Sequence, residues 1–433
     1  MSRAVQRGAT VCLGESGMVV GQLAYSRSGV RENSSFVYSQ QWLQSMERFS
    51  ISPDLLLTET HQYHKAASEN DSVFHFALAD TAPDGWGCRV IARDYAKRRV
   101  MHKEGEQPFA PLTQWDYLVG VDDFSRVGAL RLRDATGNYL RTIESGDRAT
   151  PPLLELASLL GASHAVELGR ETEADLRYLR GRGTSLGGLR PKCSVIDDNG
   201  HLAIGKFPSV KDQRSVTKGE VLALRLAVVA GIEAAQARIV YADNSPVAVV
   251  RRFDRTLQGA RIPYLSSASL LQARRDDERA YSEIAERIIA TCVDPKHDLT
   301  ELWRRIVFNL LITNVDDHLH NHGFLHVGHG QWRLAPAFDL NPFPDKEQEL
   351  KTWLTEETGP VSSIKEVVRV AGQFWLEREQ ALETLRQVCR AVENWRVVAL
   401  TPAVGMDPHD LDDVAPAFEH AQMKLAKSML GWG

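Results

Sequence analysis

Between Phe308 and Leu325 the sequence runs FNLLITNVDDHLHNHGFL. An apolar helical run gives way abruptly to asparagine, aspartate and histidine. Asp316 and Asn321 stand five residues apart in it. An aspartate there can accept a hydroxyl proton, and an asparagine amide oxygen can bind a hard divalent cation. Further on, WRLAPAFDLNP places a second carboxylate, Asp339, after another apolar run. Gly328 to Gly330 would turn the chain into a short strand holding Trp332 and Leu334. Two carboxylates can divide the labour. One accepts or orients a proton while the other balances phosphate charge through a metal. Magnesium keeps several of its waters, so one carboxylate, one amide oxygen and phosphate oxygens suffice for it.

The same residues also suit plainer work. Asp316, Asp317 and Asn321 can cap helices and turns, and Asp339 can cap a turn before Pro342. A metal site is a further reading. His318, His320, His322, His326 and His329 crowd one stretch, and alternate histidines on a strand would share a face. No clear carboxylate–water arrangement for zinc hydrolysis accompanies them.

A third stretch, GTSLGGLRPK, spans Gly183 to Lys192. Gly183 and Gly188 have the spacing of a Walker A loop, but Leu189 stands where the lysine must be and Lys192 comes too late. Thr184 and Ser185 sit inside it. The loop either covers phosphates or carries a hydroxyl that is itself a target. Lys206, in HLAIGKFPS, lies near the end of an expected strand, where an ammonium can reach the α- and β-phosphates of a nucleotide. Glu220, early in the next helix, is a candidate partner for it, or simply a first-turn acid favoured by the helix dipole. In VVRRFDRT, backbone groups at Arg252 and Phe253 could bind a base and Asp254 could accept ribose hydroxyls. The alternative is an ordinary surface Arg–Asp pair.

The elements that must position these groups can be read from periodicity. Strands are expected near 19–25, 34–39 and 127–134, with a helix over 85–99 and one or two more over 153–180. Strands at 192–196 and 202–207 flank Asn199-Gly200, a strong hairpin signal. A helix at about 218–230 follows, then strands at 238–242 and 247–253 about a turn at 243–246. Glycine loop, hairpin, helix and two strands follow the order of a protein-kinase small lobe. Beyond 256 helices dominate. Leu302, Ile306, Leu310 and Leu311 form one stripe, and further helical runs fall at 364–374, 377–393 and 415–430. Asp316 and Asn321 have the spacing of a kinase catalytic loop, with Asn314 and Val315 where a histidine would precede it. The glycine of Asp-Phe-Gly is missing after Asp339.

The totals set bounds. The chain has 433 residues, net charge −5, 43% hydrophobic and 25% charged residues. That is an ordinary globular composition, long enough for two or three domains. It argues against a surface dominated by nucleic-acid binding. The five cysteines are scattered and form no CxxC, which argues against a disulfide framework or zinc knuckle and for a reducing cytoplasm. No apolar run approaches membrane-spanning length, and MSRAVQRGATVCLGESG lacks a signal-peptide core.

Taken together, the stretches resemble the HipA family of serine/threonine kinases, the toxin half of bacterial HipBA-type toxin–antitoxin modules. SLGGLRPK is similar to the family's Ser-x-Gly-Gly/Ala-x-x-x-Lys loop and GKFP to its ATP-lysine strand. NVDDHLHN is similar to its Asp-x-His-x-x-Asn catalytic loop, which gives Asp316, His318 and Asn321. LAPAFDLNP is similar to its metal-binding segment, which gives Asp339, and RRFDR to its hinge. The likeness extends to GMVVGQLAYSRSG and FVYSQQWLQS near the start and to VENWRVVA near the end, while ISPDLLLTETHQYHKAASEND departs from it.

The resemblance implies an α+β, two-lobed, kinase-like fold. Its parts would be an N-terminal subdomain (1–140), a small-lobe-like α/β domain (141–255) and a mainly helical C-lobe (256–433). It implies ATP- and Mg2+-dependent phosphoryl transfer to protein serine or threonine, with Asp316 and His318 catalytic. Asn321 and Asp339 would bind the metal. Lys206, Arg252, Phe253, Asp254, Gly187 and Gly188 would bind ATP. Ser185, or its neighbour Thr184, would be autophosphorylated, switching the enzyme off. Implied partners are a HipB-like antitoxin, DNA only through that antitoxin, and a protein substrate, for which the family suggests an aminoacyl-tRNA synthetase. The alternative is a pseudokinase-like nucleotide-binding module acting through an antitoxin–repressor complex.

Overall fold

The structure is a computed structural model that describes residues 5–83, 85–101, 110–140, 150–180, 182–183, 188–274 and 277–432. The chain divides into two compact units. One comprises Met1–Lys211 with Ala242–Ser245 and Asp254–Leu265. The other comprises Asp212–Tyr241, Pro246–Phe253 and Ser266–Gly433.

The first unit is built on a five-stranded sheet. In spatial order its strands are Gln62–His64, Arg31–Tyr38, Met18–Ser28, Val5–Leu13 and Leu130–Arg133. The pairs are antiparallel throughout. Alternating side chains put Val11, Leu23, Tyr25, Phe36 and Tyr38 on the covered face, with Trp42, Phe74 and Trp86 also fully enclosed. Beyond the helices Gly85–Met101, Leu156–Leu168 and Glu173–Leu179, the unit carries the antiparallel hairpin Lys192–Ile196 with Leu202–Lys206. The Asp197 carboxylate accepts the N–H groups of Asn199 and His201, and Gly200 takes φ +79°. This is turn chemistry that the Asp-Asp-Asn-Gly sequence invites.

The second unit is mostly helical. Its helix Val216–Val229 precedes the strands Ala237–Ala242 and Ser245–Arg251. The second strand begins two residues earlier than periodicity suggests. Asp243 and Asn244 both take positive φ (45° and 66°), so two residues complete the turn. The expected run over 415–430 is interrupted. A short turn of helix at Ala415–Ala417 is followed by a separate helix, Ala421–Met429.

The centre of this unit is the helix Pro295–Leu311. Asp294 caps it, its side chain accepting from the His297 N–H at 3.1 Å, and Pro295 occupies a first-turn site that needs no donor. Leu299, Leu302, Trp303, Ile306, Val307, Phe308, Leu310 and Leu311 are all fully buried. A helix apolar on so many sides is a core helix rather than a surface one. Its buried polar groups are committed to partners. Asp298 accepts the Leu334 N–H at 3.0 Å. Arg305 bonds Glu301 and the carbonyl of Ala335, and Glu301 accepts the N–H of Glu233. These bonds fix the segment that runs from the strand Gln331–Leu334 toward Asp339. No described helix is long and apolar enough to cross a membrane.

Candidate active site

The core helix ends at Leu311, and Thr313 takes φ +53°, a costly angle for a β-branched residue. The Asn314 N–H returns to the Asn309 carbonyl at 2.8 Å, and the Asn314 amide nitrogen donates to Asn309 Oδ1 at 3.1 Å. The helix thus stops sharply and delivers two adjacent aspartates into opposite surroundings.

Asp317 turns inward and is 1% exposed. Its Oδ2 accepts from the Tyr281 hydroxyl, from Asn309 Nδ2 at 2.9 Å and faces His322 Nε2 at 2.8 Å. Its backbone carbonyl accepts both the N–H and the hydroxyl of Thr352. Burial alone would raise the carboxyl pKa. The charge and hydrogen bond of His322, with the Tyr281 bond, outweigh it and hold the group below the usual carboxylate range. The Tyr281 phenol is pushed well above its ordinary value by burial and by Asp317, so it stays a donor.

Asp316 turns outward, with 61% of its side chain exposed and Lys351 Nζ at 3.7 Å. A pair this wet stabilises little. What holds the aspartate in place is backbone. Lys351 donates its N–H to the Val315 carbonyl at 3.0 Å, and Asn321 Nδ2 donates to the Asp316 carbonyl at 3.3 Å. Because its amide nitrogen is engaged there, Asn321 has its amide oxygen left for a cation. His318 is half-buried and its Nδ1 makes no hydrogen bond. Burial pushes this imidazole below its ordinary value, against the pull of Asp316, so it is neutral at pH 7.

Asp339 sits at φ +56° in a half-buried turn. Asn341 Nδ2 donates to its Oδ1 at 3.3 Å and to its carbonyl at 3.2 Å. The Asn341 N–H in turn donates to Asn314 Oδ1 at 3.1 Å. One chain of amides therefore joins the turn of Asp339 to the loop of Asp316. Preceding Asp339, Phe338 packs its ring 5.3 Å from that of Phe253, centroid to centroid. Arg252, beside Phe253, is buried. A left-handed aspartate is a local cost that sites of function commonly carry.

The alternative reading of the histidine run as a metal site finds no support among the described residues. Only His326 of that run lies within a strand, Gly323–Gly328, where its Nε2 accepts from the Gly330 N–H and its ring packs on Trp332. His318 and His320 sit around a short turn of helix at Leu319–Asn321, and the run supplies no three-ligand set among the described residues.

In the other unit, Lys206 ends its strand directly opposite Lys192. Lys192, too late for a Walker lysine but the closing residue of the SLGGLRPK motif, is 6% exposed. Gly188 takes φ +85°, and a Cβ there would stand 2.7 Å from Lys192 Nζ. The Gly188 carbonyl accepts the Trp86 N–H at 2.8 Å. Two lysines thus stand opposite each other at the end of this hairpin, and Lys192 reaches Gly188. Thr184, Ser185 and Gly187 lie outside the described residues. Asp254 is buried, and its Oδ2 accepts from the Gly128 N–H and from Arg255, both at 2.8 Å. These bonds fasten the segment that follows the strand Ser245–Arg251. Glu220 is buried on the helix Val216–Val229.

The donor set at the loop, a carboxylate and an amide oxygen, suits a hard cation such as magnesium and not a thiophilic one. Asn341 and Lys351 were missed from sequence, Asp317 was read there only as a cap, and Asn314 only as standing where a histidine would precede the motif. The repeated Asn and Asp around 309–317 were the available signal, since buried polar residues must bond one another.

Asp339→Gly is expected to remove magnesium-dependent nucleotide binding without straining the turn, because glycine tolerates φ +56°. Nucleotide titration with and without Mg2+ checks this. Unchanged Mg2+-dependent affinity would exclude Asp339 as a ligand.

Comparison with known proteins agrees with the motifs. Residues 184–396 match the HipA-like C-terminal domain. Over 98% of both chains, the structure is similar to one from the Shewanella oneidensis MR-1 toxin–antitoxin complex of HipA, HipB and operator DNA, with 18% identity and a TM-score of 0.67. The proinflammatory kinase CtkA of Helicobacter pylori aligns with 56% of this chain and 92% of its own, at 14% identity and a TM-score of 0.42. No curated protein sequence matches. The matched domain takes in the loop of Asp316 and the turn of Asp339, so residues 184–396 form a HipA-like C-terminal domain, and the likeness in fold to the Shewanella structure runs the length of the chain.

Proposed function

We propose that this protein is a HipA-type toxin kinase that transfers the γ-phosphoryl group of ATP to a serine or threonine of a protein substrate. The observation that carries the reading is the division of labour between neighbouring carboxylates. Asp317 is buried and fully bonded, while Asp316 projects into solvent from a loop that Asp317 holds rigid. Only Asp316 can meet a macromolecular hydroxyl. It orients that hydroxyl and accepts its proton as the bond to phosphorus forms. Neutral His318 flanks it. Asn321 and Asp339 would hold magnesium, which when bound supplies charge stabilisation for the phosphates. Lys206 and Lys192 are assigned to the nucleotide's phosphates, and the backbone at Arg252 and Phe253 to its base. The rate comes from positioning and electrostatics.

By analogy with the Shewanella complex, a HipB-like antitoxin is the proposed partner, with DNA reached through it; an aminoacyl-tRNA synthetase is the proposed class of substrate. The test is incubation of the purified protein with labelled ATP, Mg2+ and cell lysate, followed by identification of the labelled protein. Transfer to a discrete substrate is expected. ATP binding without transfer to any protein would favour a pseudokinase acting through its antitoxin.

Autophosphorylation follows from the same reading. Ser185, or failing it Thr184, is expected to carry phosphate in wild-type protein and not in Asp316→Asn. A phosphate adds nearly two negative charges. Beside ATP's own phosphates it should weaken nucleotide binding. Peptide mass spectrometry and ATP titration before and after phosphatase treatment check both points. Neither hydroxyl ever being modified in active enzyme would leave the loop a phosphate cover only.

A further inference from the structure

The stretch that departs from the family pattern, Ile51–Asp71, contributes two residues to a cluster far in sequence from the candidate active site. Asp54, His64 and His75 each offer one ligand atom, and these atoms lie within 4.8 Å of one another. His75 is 2% exposed at its side chain, Asp54 13% and His64 20%. His64 belongs to the edge strand Gln62–His64, paired with Ser34 of the next strand. Asp54 lies in an irregular stretch before that strand, and His75 immediately precedes the short helix Phe76–Ala79.

The hydrogen-bond roles at His75 pose a problem that a cation solves. Its Nδ1 faces Asp54 Oδ2 at 2.7 Å, and its Nε2 faces the Gln62 carbonyl at 3.1 Å. Both neighbours are acceptors. A neutral imidazole has only one N–H and can satisfy only one of them. A metal ion held between Nδ1 and the carboxylate satisfies both, because the one N–H is then left on Nε2 to donate to the carbonyl. His64 supplies a further donor. Its Nδ1 also approaches Asp54 Oδ2, at 3.4 Å. A single proton needs no second imidazole, whereas a metal ion gathers several donors.

We propose that Asp54, His64 and His75 bind a first-row divalent transition metal, zinc by its donor set, which fastens the irregular 46–75 region to the sheet edge. Zinc takes imidazole nitrogen and carboxylate oxygen at ~2.0–2.2 Å, so its ligand atoms stand roughly 3.3 Å apart around a tetrahedron. The His64–Asp54 separation already has that value. The His75–Asp54 pair needs to open by a few tenths of an ångström. The supporting contacts of a metal site are also present. His75 directs its other nitrogen at a backbone carbonyl, and the second oxygen of Asp54 accepts from the Ser52 hydroxyl. Such contacts orient metal ligands and fix the imidazole tautomer. A water would complete the four ligands that zinc takes. Binding would close the chain between Asp54 and His75, ordering a stretch with little regular structure of its own.

The test uses full-length protein stripped with chelator and titrated with Zn2+ and, separately, Co2+. One ion per chain is expected, with the intense visible bands of four-coordinate Co2+ and a raised melting temperature. His64→Ala, at a half-exposed edge position, should weaken binding by more than the roughly 10–100-fold that loss of a merely supporting partner costs. The double variant His318→Ala/His320→Ala should bind as wild type does. Sub-stoichiometric binding to wild-type protein would overturn the proposal and leave a proton between His75 and Asp54. So would equal affinity in His64→Ala, or loss of the ion in the double variant. The wild-type stoichiometry and Co2+ spectrum decide the matter even if a variant does not fold.

Discussion

Asp316→Asn should lower phosphoryl transfer by about 10²–10⁴-fold, the range by which a positioned general base contributes. Thermal unfolding should stay where it is. The side chain is 61% exposed, its Lys351 pair is 3.7 Å long, and the bonds that shape its loop come from backbone atoms the substitution does not touch. Surface changes of this kind usually stay within about ±0.5 kcal/mol. ATP affinity should also hold, since the groups assigned to metal and phosphate remain. Labelled-phosphate transfer, nucleotide titration and a melting curve on the same preparation separate the three effects. Full transfer activity would remove Asp316 from the mechanism. A large fall in melting temperature would show that it serves the fold, as Asp317 does.

That the two aspartates differ so sharply is what the sequence could not show. Periodicity located the core helix, and it located the strands Lys192–Ile196 and Leu202–Lys206, because apolar spacing and Asn-Gly turn chemistry are local signals. The motif residues at 316, 321 and 339 stood out for the same reason: type and spacing are written along the chain. Which of Asp316 and Asp317 faces water depends on Tyr281, Asn309, His322 and Thr352, spread over more than seventy residues. No local rule collects those partners. The strand Val5–Leu13 escaped for another reason. Its first four residues are all exposed, so the alternation that marks a half-buried strand is absent there. The start of the strand Ser245–Arg251 was misplaced because Asp243 and Asn244 close the turn in two left-handed residues, whereas the expected 364–374 run does end where Trp375 takes φ +57°. The Asp54, His64 and His75 cluster was invisible in sequence because its members stand ten and eleven positions apart, a spacing no motif marks.

Asp317→Ala is expected to be the most destabilising single change near the site. It removes the acceptor that Tyr281, Asn309 and His322 share, and all three are buried. An unpaired buried polar group costs about 1–3 kcal/mol, and breaking a buried charged pair about 3–5 kcal/mol; because the groups share one network these figures do not add. A net loss of about 3–5 kcal/mol is the reasonable expectation. At ~2–4 °C per kcal/mol for a domain of this size, the melting temperature should fall by roughly 10 °C. Asp317→Asn should lie between, since an amide oxygen still accepts from Tyr281 and Asn309 but no longer offers charge to His322. The pH dependence has a definite sign. The folded carboxyl lies below its unfolded value, so its contribution is complete above about pH 4, the ordinary aspartate range. It is lost as pH falls through the lower folded value. Wild type should therefore lose stability on acidification faster than Asp317→Ala, and the two curves should converge at low pH. Melting curves across pH 3–7 would show it. Parallel curves, or equal stability at neutral pH, would mean that the loop is held by its backbone bonds to Lys351 and Thr352 alone. Asp316 would then owe its position to those backbone bonds and not to the buried network beneath it.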